Sequence, residues 1–290
     1  MGRPLIIEVR VNEYAMRHSN PNVPWTPDEI SRDCKEIREA GAAIVHFHAR
    51  QEDGSPAFDA ESYAASIRKI RAGSDILIAP TMGQIHVSGD ATRFQHYVAL
   101  EKMGLKPDFV PIDTGTTNID RFDFSTNTFD TKHKVYLNTT ETVERFIGWT
   151  HDLGMREQLF AWTVPMLRTG QALYRMGLLK SPVHQTFLLT EGGILGGHPG
   201  TVAGLKPFIE LLDPAVPMVW SVGCKEGDLL GLVPYILENG GHISIGLGDY
   251  GYRELGTPRN VDLVRKVVEL ARQYDRTPVT PDGVKELLGM

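Results

Sequence analysis

The chain has 290 residues, 30 Lys and Arg against 36 Asp and Glu, and a formal net charge of -6, a balance that argues against a nucleic-acid backbone or an anionic membrane as the main partner. With 41% hydrophobic and 23% charged residues it carries enough apolar material for one large core, which a disordered chain lacks. No apolar run approaches the roughly 20 residues of a bilayer span, and the start MGRPLIIEVR shows no signal-peptide pattern, so a cytoplasmic protein is expected.

Short apolar runs alternate with helical periodicity from end to end. Strands are expected at 5–12, 42–50, 75–82, 108–115, 158–164, 186–192, 217–223 and 242–249, from runs rich in β-branched and aromatic residues. Between them, Thr26-Pro27-Asp28-Glu29 reads as a capping box with proline in the first turn, and Ile30, Cys34 and Ile37 follow at helical spacing. Further helices are expected at about 58–72, 90–104, 140–154, 166–179, 200–212, 226–239 and 260–274, with one extra helix at 280–289 read as a packing or subunit-contact element. Eight strand–helix units in one chain fit a single (β/α)8 TIM-barrel domain spanning 1–290, although a doubly wound sheet shares the alternation. The barrel is favoured because VRVNEYAMR follows the first strand where a dinucleotide-binding sheet would carry G-x-G-x-x-G. In a barrel, the long loop RHSNPNVPWT (17–26) lies on the C-terminal, ligand-binding face.

Cys34 and Cys224 are the only cysteines; they exclude a disulfide framework or a thiolate metal cluster, so any metal must rely on histidine and carboxylate. His46-Phe47-His48-Ala49-Arg50 ends the second strand. Residues two apart share a strand face, so His46, His48 and Arg50 point together into the barrel. Two such imidazoles suit a facial site for Zn²⁺ or a similar divalent ion completed by a carboxylate; the alternative is a pair of hydrogen-bonded interior histidines. In the first strand Ile7, Val9 and Val11 form the apolar face, which turns Glu8, Arg10 and Asn12 inward. Glu8 and Arg10 either pair with each other or serve as metal carboxylate and substrate-binding guanidinium. Thr81, Asp113, Thr116, Asn118, Glu191, Cys224 and Asp249 lie at strand ends, with Asp249 the best general-base candidate, Glu191 its understudy, and Cys224 a buried filler. The glycine-rich run 191–198 is either an anion cradle or a turn.

Taken in order, these segments resemble the beta-keto acid cleavage enzymes. The resemblance runs through TPDEISRDCKEIREAGAAIVHFHARQEDGSP, PTMG (80–83), DTGTTN (113–118), NGGHISIGLGD (239–249), TPRN (257–260) and DRTPVTPDGVKELLG. It implies a (β/α)8 barrel with a divalent metal, usually zinc, on His46 and His48, and exchange between a beta-keto acid and acetyl-CoA to give acetoacetate and a new CoA thioester. It further implies Thr81 and Thr116 in the substrate pocket, Asp249 as acid/base residue, no redox cofactor, and a homo-oligomer. Two positions depart from the family pattern: Ser244 stands where arginine is common, and Gly248 where a metal-binding glutamate is common. Strand eight neighbours strand one in a closed barrel, so the expectation is that Glu8 and Arg10 take over these roles, with Asn12 and Asn118 beside the substrate. The alternatives are a metal-dependent lyase or hydrolase that uses no CoA, and a metabolite-binding barrel with a disabled site.

Overall fold

A computed structural model describes residues 2–82 and 89–290. Eight strands form one parallel sheet: β1 (Ile7–Arg10), β2 (Ile44–Phe47), β3 (Leu77–Pro80), β4 (Phe109–Asp113), β5 (Arg156–Ala161), β6 (Val183–Thr190), β7 (Met218–Lys225) and β8 (His242–Ile245). Their order is 3-2-1-8-7-6-5-4, each strand beside its sequence neighbour. The two ends of that order meet at Asp108, whose N–H donates to Ile78 O at 2.9 Å and whose carboxylate accepts from Ile78 N–H at 2.8 Å. This closes a TIM barrel, as expected from the strand–helix arithmetic.

Helices α1 (Pro27–Ala40), α2 (Ala60–Gly73), α3 (Asp90–Lys102), α4 (Thr140–Asp152), α5 (Val164–Arg175), α6 (Val202–Glu210), α7 (Val233–Glu238) and α8 (Asn260–Arg272) follow the strands in turn. The start signal of α1 acts as read, with Thr26 and Glu29 forming its reciprocal cap, and Asp59, Thr139 and Thr201 accept the first free N–H groups of α2, α4 and α6. Val9, Val45, Ile78, Phe187, Val222 and Ile243 point outward into the main core against these helices. The barrel interior is therefore left to the polar alternates. The last helix, α9 (Pro281–Leu288), buries Val284 and Leu288 against Ile6, Ala43, Leu77 and Phe109 at the N-terminal end of the barrel. It is a packing element, opposite the ligand-binding face.

Three details differ from expectation. The first run is split: Arg3–Leu5 pairs in parallel with Arg276–Pro278, and Ile6 N–H turns to the His242 ring before β1 begins. The helix expected at 226–239 begins only at Val233, after a tight turn at Leu230–Leu232, because Asp228 accepts Leu230 N–H and Pro234 fits only the first helical turn. The connection after β4 is an arm of two small antiparallel pairs, Thr117–Asn118 with Val135–Tyr136 and Phe122–Asp123 with Thr128–Phe129.

Candidate metal centre and active site

Beyond β1 the chain stays bound to β2 through one backbone bond and the side chain of Asn12. Val11 N–H donates to His46 O, and the Asn12 amide clamps His48, accepting its N–H at 2.9 Å and donating to its carbonyl at 2.9 Å. The Arg50 guanidinium then gathers the next turn, donating to the carbonyls of Asn12, Glu13, Ala15 and Gly54. Glu13 is held there at φ 40°, a left-handed conformation that an L residue adopts only under such constraint.

The result is a carboxylate set against both imidazoles. Glu13 Oε1 lies 2.9 Å from His46 Nε2, and Oε2 lies 3.1 Å from His48 Nε2. All three residues are buried, and one ligand atom from each lies within 4.8 Å of the others. His48 Nε2 nevertheless makes no hydrogen bond among the described residues. Buried polar atoms left without partners are costly, and a divalent ion would satisfy them. Protonation agrees: burial depresses the His48 imidazole to about 4, against the upward pull of Glu13. Burial pushes the Glu13 carboxyl up, yet Arg10 and the two histidines together hold it well below the usual range. One anionic and two imidazole donors suit Zn²⁺ or a related ion.

Arg10 joins this carboxylate to a second one. Its Nη2 is 2.6 Å from Glu13 Oε1 and its Nε 2.8 Å from Asp249 Oδ2. Burial opposes its charge, but Asp249 and Glu13 raise its pKa, so it stays a cation. Burial raises Asp249 to about 6 in spite of Arg10, with Glu13 adding to the rise. Lys225, at the end of β7, places Nζ 3.8 Å from Glu13 Oε2 and 4.0 Å from Asp249 Oδ1. These groups form the floor of a cavity of about 1140 Å³, whose walls include Tyr14, Phe160, Trp162 and Leu188. Asp113 also lines it, but Tyr136 Oη and Trp162 Nε1 occupy its two oxygens.

The structure brings His46, His48, Arg10, Thr81 and Asp249 to this cavity, and leaves other expected residues outside it. Glu8 does point inward, but the β1–β2 register sets Arg10 level with His46 and Glu8 level with Ile44, one layer below. There Glu8 Oε2 accepts from Gln158 Nε2 at 2.7 Å, so the carboxylate beside the histidines is Glu13 instead. Asn12 is fully buried, and both atoms of its amide are engaged with backbone; it is a clamp, not a substrate contact. Thr116 Oγ1 accepts from Asn138 N–H at the exposed base of the arm, and Asn118 pairs with Val135. Neither lines the cavity. Glu191 accepts from Gly200 N–H and steadies the loop after β6.

The glycine-rich run that follows serves packing. A Cβ at Gly193 would lie 2.2 Å from Phe122 O and one at Gly196 2.0 Å from Asn118 O, so glycine lets this loop dock on the arm. Cys224 is the buried filler expected: burial pushes its thiol up to about 12, and it packs under Gly200 and Gly227. Gly83, the last residue of PTMG, lies outside the described residues. Sequence reasoning missed Glu13 and Lys225. For Glu13 the available signal was that it is the next carboxylate along the chain after Glu8.

Comparisons with known proteins agree with this architecture. The chain is 27% identical over 277 residues to a 3-keto-5-aminohexanoate cleavage enzyme of Acetoanaerobium sticklandii, covering 94% of this chain and 93% of that one. It is 26% identical over 294 residues to a 3-oxoadipate:acetyl-CoA acetyltransferase of Cupriavidus necator, covering 100% and 96%. Among solved structures, the ternary complex of ObcA with C4-CoA adduct and oxalate superposes with a TM-score of 0.74 at 18% identity, covering 93% of this chain and 68% of that one, a likeness of fold. Residues 4–290 match the model of the beta-keto acid cleavage enzymes, and the chain belongs to that family.

Proposed function

We propose that this enzyme uses a divalent metal, zinc by preference, to exchange groups between a beta-keto acid and acetyl-CoA. The acyl part of the keto acid passes to CoA, and its remaining acetate unit joins the acetyl group and leaves as acetoacetate. The observation that carries the reading is the convergence of Glu13, His46 and His48 beside Asp249 at the floor of one cavity. A divalent ion held by these three side chains would act as a Lewis acid toward the keto oxygen.

The chain's own groups supply the rest. Asp249, raised to about 6, is anionic at pH 7 yet basic enough to remove a proton from the carbon between the ketone and the carboxylate. Arg10 orients Asp249 and Glu13 together. Thr81, at the end of β3, lines the same floor. The charges support an anionic substrate: Arg10 and Lys225 balance Glu13 and Asp249, so the charge of a bound divalent ion calls for a further anion. A relative named for acetyl-CoA-dependent transfer over the whole chain length supports the CoA partner. The reading keeps the cytoplasmic location expected from the sequence and takes a homo-oligomer from the family resemblance.

The test is incubation of metal-loaded protein with a panel of beta-keto acids and acetyl-labelled acetyl-CoA. Labelled acetoacetate and a new CoA thioester should form in equal amounts. Keto-acid consumption that proceeds equally without acetyl-CoA would instead indicate a CoA-independent lyase or hydrolase.

A further inference from the structure

We propose that Lys225 receives the carboxylate of the substrate. The proposal rests on the reading above and specifies how its site tells an acid from a neutral ketone.

The cations around the cavity differ in what already holds them. Arg10 is 4% exposed and lies between Glu13 and Asp249 at 2.6 and 2.8 Å. Arg121 forms a two-pronged pair with Glu226 at the cavity mouth. The Arg253 Nε donates to Ser19 O at 2.9 Å, and Lys134 is exposed, 3.6 Å from Asp130. Lys225 is different. Its side chain is only 17% exposed, its nearest carboxylate oxygens are 3.8 and 4.0 Å away, and its ammonium makes no hydrogen bond among the described residues.

Those two distances also locate the ammonium. It faces the space between Glu13, which would hold the metal, and Asp249, which would take the proton. A beta-keto acid that presents its ketone toward the Glu13–His46–His48 cluster and its C2 hydrogen toward Asp249 has its carboxylate on the side that Lys225 occupies. An ammonium is a compact charge with three donors on a flexible stem, so it can close the last ångström onto a carboxylate. Ser244 is buried one layer down beside Glu8 and supplies no charge. β7 therefore provides the cation that β8 lacks.

The experiment measures dissociation constants of acetoacetate and of its neutral analogue acetoacetamide on metal-loaded wild-type protein, Lys225→Met and Lys225→Arg, with metal content determined for each. Lys225→Met should weaken acetoacetate at least tenfold, change acetoacetamide by less than threefold, and keep its metal; Lys225→Arg should recover most of the loss. Equal weakening of both ligands, loss of metal in Lys225→Met, or unchanged acetoacetate affinity would overturn the assignment while leaving the proposed activity standing. Wild-type protein that binds no acetoacetate and converts no beta-keto acid would overturn the assignment together with the reading beneath it.

Discussion

Glu13 and Gly248 share one space. A Cβ built on Gly248 would lie 2.7 Å from Glu13 Cγ and 2.7 Å from Glu13 N, with Arg10 O at 2.8 Å. A side chain at position 248 would therefore compete with Glu13 for the space beside the histidines. Glycine on β8's extension is thus the complement of glutamate on β1's.

Gly248→Ala should displace Glu13. Because two of the close atoms are backbone, the loop itself must shift, at a cost of about 1–3 kcal/mol, typical of overpacking. Expected are a lowered melting temperature and metal affinity reduced at least tenfold, read by competition with a chelator. An affinity equal to that of the parent would mean that Glu13 and Gly248 are not coupled.

Arg50→Lys addresses the device that sets Glu13. A single ammonium cannot span the four carbonyls that the guanidinium bridges, so the left-handed turn at Glu13 should loosen. Metal affinity should fall about 10–100-fold, the range for lost ligand support, with turnover recovering at high metal concentration. Turnover that stays low at saturating metal would place Arg50 closer to the chemistry.

On the proposed function, Asp249 should give the reaction its pH dependence. Its pKa lies above the ordinary carboxylate value, at about 6, and only its charged form accepts a proton. Activity should therefore be lost as pH falls through this value and be full above it, and a bound divalent ion moves the inflection downward, never up. Asp249→Asn should remove this acid limb and lower turnover about a hundredfold or more. A pH profile and turnover matching the parent would assign proton transfer to another group.

The barrel and the histidine pair are legible in the sequence because both rest on short-range rules. Alternation with period two fixes which strand residues face inward, and the structure places His46, His48 and Arg10 inward as that rule requires. The carboxylate that meets the two histidines is not legible in this way. Glu8 satisfies the same inward rule as Arg10, but register decides height, and Glu8 lies a layer too low, against Gln158. Glu13 lies beyond the strand, where periodicity no longer applies; it reaches the histidines through a positive-φ turn held by a residue 37 positions later in the chain, Arg50. Lys225 escaped notice because β7 extends two residues past the expected strand end at 223, to Lys225 itself. The arm after β4, which removes Thr116 and Asn118 from the cavity, is built of two-residue pairings too short for any pattern to announce.

The most direct test of the metal site is metal stoichiometry after dialysis against a weak chelator, measured by elemental analysis for the parent, Glu13→Gln and Glu8→Gln. With Glu13, His46 and His48 as ligands, the parent and Glu8→Gln should retain about one divalent ion per chain, while Glu13→Gln, stripped of the single anionic donor, should lose most of it. Full occupancy in Glu13→Gln, or selective loss in Glu8→Gln, would contradict the account.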